Sequence, residues 1–262
     1  MLRVIVASVV MGSVLLSARA DVSAEDTWNI EKSTHFLVHY KKAPVEFIAK
    51  VIMRAEAYYD KIADDLGFRR MNFWLWDNRA LIYIYDSAAQ YQQETGEPPW
   101  SAGAAAPRRK IIHSFAGAPG FLETVLPHEI GHIIFREFVG FDNPGVPVWL
   151  EEGVASYEQS ERFLRADAIV RDAKARGTFI PYERFSQARP QMLGDERSVS
   201  VFYAEAISIV DYMLKEFGKE SFVGFCQNLR DYKNLDRAVA LAFSPLANAR
   251  ELFQLWERKK TQ

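Results

Sequence analysis

The stretch His128-Glu129-Ile130-Gly131-His132 decides how the whole chain is read. On a helix, residues four apart lie about 40° apart around the axis, at roughly 100° per residue. Both imidazoles can then reach one metal ion from successive turns. Glu129 lies about 100° further round, on the same general side but poorly placed as a third ligand. It is placed instead to take a proton from a water beside the metal. Each position in this spacing has a chemical reason, and together they are the spacing of a zinc-protease helix. Ile130, Ile133, Ile134, Phe135 and Phe138 give the same helix a core side. A buried helix with two ordinary histidines would show the same five residues, so a second signal is needed.

That signal is Pro147-Val148-Trp149-Leu150-Glu151-Glu152-Gly153-Val154-Ala155-Ser156-Tyr157. The interval after His132 lets the first helix finish, a loop turn at Asn143-Pro144-Gly145, and a second helix start near Pro147. A carboxylate near the start of that helix can return to the two histidines. Two histidines and one glutamate leave a fourth zinc position open, as catalysis requires.

These residues resemble the gluzincin metallopeptidases. Trp-Leu-x-Glu-Gly-x-Ala is similar to the third-ligand segment of aminopeptidase N-like enzymes and of their small bacterial peptidase MA-like relatives. The resemblance implies one Zn2+ held by His128, His132 and Glu152, with Glu151 the rival for the third place. Other zinc families fit less well. Metzincins carry Gly three and His six residues after the second histidine, where this chain has Phe135 and Phe138. Thermolysin-type enzymes carry Asp four residues after the ligand glutamate, where this chain has Ser156.

Residues 1–20 read as a secretory signal peptide: Arg3, the apolar run Val4 to Leu16, then the small-residue cleavage site Ala18-Arg19-Ala20. The apolar run is short of the roughly 20 residues that span a bilayer, so no stable span is expected after cleavage. The expectation is an exported protein, periplasmic or secreted by a bacterium. Residues 21–262 would form one zincin-like domain, with sheet and zinc helices to about 160 and a helical subdomain from about 161. The chain has 32 basic and 34 acidic residues, which makes no electrostatic case for nucleic acid. Its one basic cluster, Arg108-Arg109-Lys110, reads as a solvated turn or strand end. Cys226, the single cysteine, excludes an internal disulfide and thiolate-rich structural zinc sites. Set among Phe222, Val223, Phe225 and Leu229, it reads as a small buried hydrophobe.

The remaining pattern is α+β, with strands early and helices late. Strands are predicted within Trp28 to Tyr40, at Ala80 to Tyr85 and at Lys110 to Ser114. Pro44 to Leu66 shows helical periodicity and stops at Gly67. Ser87 to Gln93 reads as a short helix. Beyond the second zinc helix, further helices are expected over Glu161–Arg176, Tyr203–Phe217, Lys219–Lys233, Leu235–Phe243 and Leu246–Lys259. His35 and His39 repeat the four-residue spacing, but on a strand and without a carboxylate at useful spacing. They read as structural.

Amide hydrolysis also needs a donor for the oxygen that becomes negative. The resemblance points to Tyr203, expected at a helix start, because aminopeptidase N-like enzymes carry a catalytic tyrosine in a Tyr-Glu-Lys-Gly segment after the third ligand. His113 is a second candidate. The same enzymes carry Gly-Ala-Met-Glu-Asn before the zinc helix, and its glutamate holds the substrate's free amine. This chain has Ser101-Ala102-Gly103-Ala104-Ala105-Ala106, with no acid. A candidate edge strand at about Ala105 to Ser114 would take an extended peptide by strand addition. The expectation is therefore a zinc metallopeptidase cutting peptide or protein substrates internally, with Glu129 as base. Glu97 or Glu151 would be the fallback amine anchors. The alternative is a non-catalytic zinc- or peptide-binding protein on the same fold.

Overall fold

A computed structural model describes residues 27–68 and 74–260. The expected signal peptide lies outside them. The first elements are β1 (Asn29–Lys32), β2 (Phe36–Tyr40) and helix α1 (Val45–Asp65). Next come β3 (Ala80–Tyr85), α2 (Ala88–Thr95), β4 (Gly103–Ala106) and β5 (Ile111–Phe115). The rest is helical: α3 (Leu126–Val139), α4 (Val148–Tyr157), α5 (Ser160–Ala175), the single turn α6 (Tyr182–Phe185), α7 (Glu196–Tyr232), α8 (Leu235–Ala242) and α9 (Ala249–Lys259). This is the α+β order expected, a small five-stranded sheet followed by helices.

The strands lie in the order β1-β2-β3-β5-β4. The central pairs β2–β3 and β3–β5 are parallel, and the edge strands β1 and β4 are antiparallel to their neighbours. Alternation sorts the side chains onto two faces. Phe36, Val38, Ile82, Ile84 and Ile112 enter the core with the apolar stripes of α1 and α3. His39, Tyr83 and His113 stand in register on the other face. There His39 and His113 both stack on Tyr83.

Three expectations change at the level of elements. The stretch Trp28 to Tyr40 holds two antiparallel strands rather than one. The expected edge strand Ala105 to Ser114 is two strands joined by a tight turn. Pro107 starts that turn and Lys110 adopts a left-handed φ of 53° within it. The edge itself is β4, and β5 lies inside the sheet. The basic cluster is this turn, as expected, and Lys110 and Arg108 tie it to Glu137 and Asp142 at the far end of α3. Third, Tyr203 does not open its helix. Asp195 caps α7 by accepting from the Ser198 amide, so Tyr203, eight residues after the cap, is already well into the helix. Helices Tyr203–Phe217 and Lys219–Lys233 do meet at a break, at Gly218 with φ 82°. Cys226 is fully buried as expected. Among the described residues no helix is long and apolar enough to cross a membrane.

Candidate metal centre

Helix α3 continues directly from a wider helical stretch at Phe121–Val125, and Val125 before it already has helical backbone angles. Pro127 falls in its first turn. His128 and His132 therefore leave α3 one turn apart on the side facing α4. Two glycines set how closely the neighbouring helices approach. A Cβ on Gly131 would lie 3.0 Å from Ala155 Cα, so α3 and α4 touch backbone to backbone. A Cβ on Gly153 would lie 2.5 Å from the Ala206 carbonyl, so α4 is equally close to α7. The first contact carries Glu152 to the histidines, and the second carries Tyr203 to Glu152.

The result is a triangle of donor atoms. The Nε2 atoms of His128 and His132 are 3.1 Å apart. Glu152 Oε2 lies 3.7 Å from the first and 3.9 Å from the second. A point equidistant from all three is about 2.1 Å from each, the length of zinc–nitrogen and zinc–oxygen bonds. Glu152 Oε2 is buried and has no hydrogen-bond partner. A buried carboxylate oxygen without a partner is costly unless a cation meets it. Of the described His, Cys, Asp and Glu residues, these three form the cluster able to hold a metal ion. The donor set fits one Zn2+.

Burial dominates the electrostatics around these donors. Burial, with the neighbouring Glu152 and Glu97 carboxylates, pushes the Glu129 carboxyl up to about 7 despite the opposing pull of His132. Burial also raises Glu152. Burial, then His132 and Arg162, holds the His128 imidazole in its neutral, metal-binding form. Glu129 lines a cavity of about 370 Å³ together with Ala105 of the edge strand, His132, Glu151, Glu152 and Arg189.

Glu151 is not among the three converging donors. Arg136 Nε donates to its Oε1 at 2.8 Å, and a second guanidinium nitrogen bonds Oε2. The nearby His132 ring and these bonds outweigh burial and bring its pKa down to about 2. Its Oε1 is 3.5 Å from His132 Nδ1, the ring nitrogen that faces away from the triangle. A carboxylate there fixes the ring's tautomer and orientation. His128 Nδ1 faces Ser156 Oγ at 3.4 Å.

Tyr203 reaches the centre. It stands beside Glu152, and burial and that carboxylate push its phenol well above the ordinary range. It is therefore a proton-bearing donor at any ordinary pH. His113 is elsewhere. Its place in β5 puts it on the sheet face turned away from α3, and its Nδ1 is 3.1 Å from the Tyr85 hydroxyl. The strand's alternation, which buries Ile112 and Ser114 instead, removes it as an oxyanion donor. Arg136, Arg162 and Arg189 were not anticipated. Arg136 had one visible clue: it lies four residues after His132 on the same helix.

A family model described as the peptidase MA superfamily matches residues 75–257. The chain belongs to the peptidase MA superfamily. Its His128, His132 and Glu152 match the gluzincin zinc site, the paired histidines plus a distal glutamate, and its α+β architecture is that of this fold. No curated protein sequence matches it. Two similar solved structures are an M1 zinc metallopeptidase from Deinococcus radiodurans and the yeast LTA4 hydrolase in complex with bestatin. The first is 15% identical, with a TM-score of 0.49, over 90% of this chain and 52% of the other. The second is 14% identical, with a TM-score of 0.44, over 89% and 37%. The chain thus spans about half or less of the length of these proteins.

Proposed function

We propose that this protein is an exported zinc-dependent peptidase that cuts peptide bonds internally. The observation that carries the reading is the donor triangle with Glu129 beside it in one cavity. When bound, zinc would polarise the scissile carbonyl and make the attacking water acidic. Glu129 would accept that water's proton and return it to the leaving amine. Tyr203 would donate its hydroxyl proton in a hydrogen bond to the carbonyl oxygen as it becomes negative. Glu151, clasped by Arg136, would hold the His132 ring. A pure binding protein has no need of a base at Glu129.

Internal cleavage is favoured by β4. Its residues Gly103 to Ala106 are small and carry no acid, and the strand lies on the sheet edge with Ala105 in the cavity. A peptide could add there by backbone hydrogen bonds, while a substrate ammonium would find no partner on this strand. One observation favours a second reading, removal of N-terminal residues. Glu97 is close enough to raise the Glu129 pKa, so an acid does stand near the site. Export rests on the leader-like residues 1–20, and one domain over 21–262 is the simplest organisation.

The test is zinc content by mass spectrometry, with cleavage of one peptide offered with its amine free and acetylated. One zinc per chain, chelator-sensitive cleavage and internal products from both forms are expected. Loss of cleavage on acetylation, with only the first residue released, overturns internal cutting. Zinc without turnover on a broad peptide library overturns the peptidase reading.

A further inference from the structure

A second cavity, of about 410 Å³, opens between α5 and α7 and has Tyr203 on its wall. Arg162, Arg165, Ser200 and Tyr203 line it, with Glu196 also on its wall. Its described lining holds two arginines and one glutamate. Arg162 stands close to the metal centre: its guanidinium lies 4.8 Å from the centre of the Tyr203 ring, and its charge is felt by Glu152 and His128. The metal cavity carries Glu129, Glu151 and Glu152 on its wall together with His132 and Arg189.

Resting on the peptidase reading above, we infer that this cavity is a specificity subsite for a substrate carboxylate close to the scissile bond. The carboxylate is supplied by an acidic side chain or by the chain's C-terminus. A guanidinium presents a planar fork of donors that matches a carboxylate in two parallel hydrogen bonds. Stacking on Tyr203 restrains Arg162, so less freedom is lost when a ligand engages it. The chain of contacts from Arg162 through Tyr203 to Glu152 is short. The apolar side chains of Ile169 and Ile207 on the same wall would accept the methylenes of a glutamate.

The test separates binding from turnover. Zinc-loaded Glu129→Gln protein is titrated calorimetrically with acetylated peptides in which one Glu is walked through each position, each matched by its Gln version. A second series compares free and amidated C-termini. Tighter binding of the acid than of the amide by about tenfold, at one position only, is expected. If the gain tracks the side chain, the subsite reads Glu or Asp; if it tracks amidation, it reads the chain end. Arg162→Gln should bring the acid-to-amide ratio towards one, and Arg162→Lys should retain part of it. Equal affinity for acid and amide at every position, with both bound, overturns the inference. Cleavage of neutral peptides by the wild type in that case leaves the peptidase reading intact. Acid-selective binding without any cleavage by the wild type overturns that reading instead, and peptides neither bound nor cut overturn both.

Discussion

Two pairs of histidines share one spacing in this chain, and they end in opposite circumstances. His128 and His132 stand on α3 with Nε2 atoms 3.1 Å apart. His35 and His39 flank and occupy β2, and the two rings go to different sides of the sheet. His35 stacks on Tyr59 of α1 and bonds Glu56, while His39 stacks on Tyr83 of the outer face. Simple strand alternation would have placed both on one face, but His35 precedes the strand, where the chain is still turning. A four-residue interval becomes a chelate only on a helix, and only where a third donor returns from elsewhere. At α3, Glu152 returns because Gly131 lets α4 approach. Near β2, Glu56 meets one histidine alone.

The comparison is sharpened most by splitting the two roles of carboxylate at α3 and α4. Glu129→Gln should retain zinc and lower turnover by about 10²–10⁴-fold, the size of a general-base contribution. Glu152→Gln should lose most of its zinc, because a neutral amide is a poor replacement for a carboxylate ligand. Metal analysis beside peptide cleavage checks both. Equal zinc loss in the two variants would contradict the division of roles.

Tyr203→Phe tests the contact made across Gly153. It removes one hydroxyl and leaves the ring beneath Arg162. Turnover is expected to fall by about 10²–10³-fold with zinc content unchanged. A variant at the wild-type rate would mean that the hydroxyl serves only to bond Glu152. Glu151→Gln should act more gently, through the orientation of His132. Zinc affinity should fall by about 10–100-fold in competition with a chelator. A fall as large as that of Glu152→Gln would make Glu151 a ligand.

How much of this was legible in the sequence follows from the range of each interaction. His128, Glu129 and His132 are set by one helix's periodicity, so five consecutive residues suffice. Glu152 and Tyr203 lie further along the chain, and their segments could be matched only through resemblance to a family. The clasp of Arg136 on Glu151 could not be read that way, because an arginine four residues past a histidine is ordinary on any helix. Arg162 and Arg189 come from a helix and a loop whose positions depend on tertiary packing. His113 was misplaced for a similar reason. Its strand was recognised, but which face of that strand meets α3 is decided by the neighbouring strands. The edge strand was blurred because Ala105 to Ser114 conceals a tight turn at Pro107 to Lys110.

The smallest expected effect tests the other member of the comparison. A His35→Gln, His39→Gln variant should bind the same zinc and cut peptides at the same rate, because neither ring approaches the metal centre. The cost should be to stability, about 1 kcal/mol, and concentrated at His35. Burial by itself would raise the Glu56 carboxyl, but hydrogen bonds from the His35 amide and from the Ser33 and His35 side chains outweigh it and hold the pKa low. A carboxylate with a lowered folded-state pKa adds stability above its unfolded value, and that stability is lost as pH falls through the folded value. His39 acts in the same direction over a higher range: burial lowers its pKa, so the unfolded chain takes up a proton first as the solution is acidified. The stabilisation these two groups supply should therefore decline as pH drops below about 6.5 and again below about 4.5. Denaturant melts of wild type and double variant across that range should show the difference between them shifting against the wild type as the solution is acidified. Loss of zinc from it would mean that the two histidine pairs are coupled, and the contrast between them would fail.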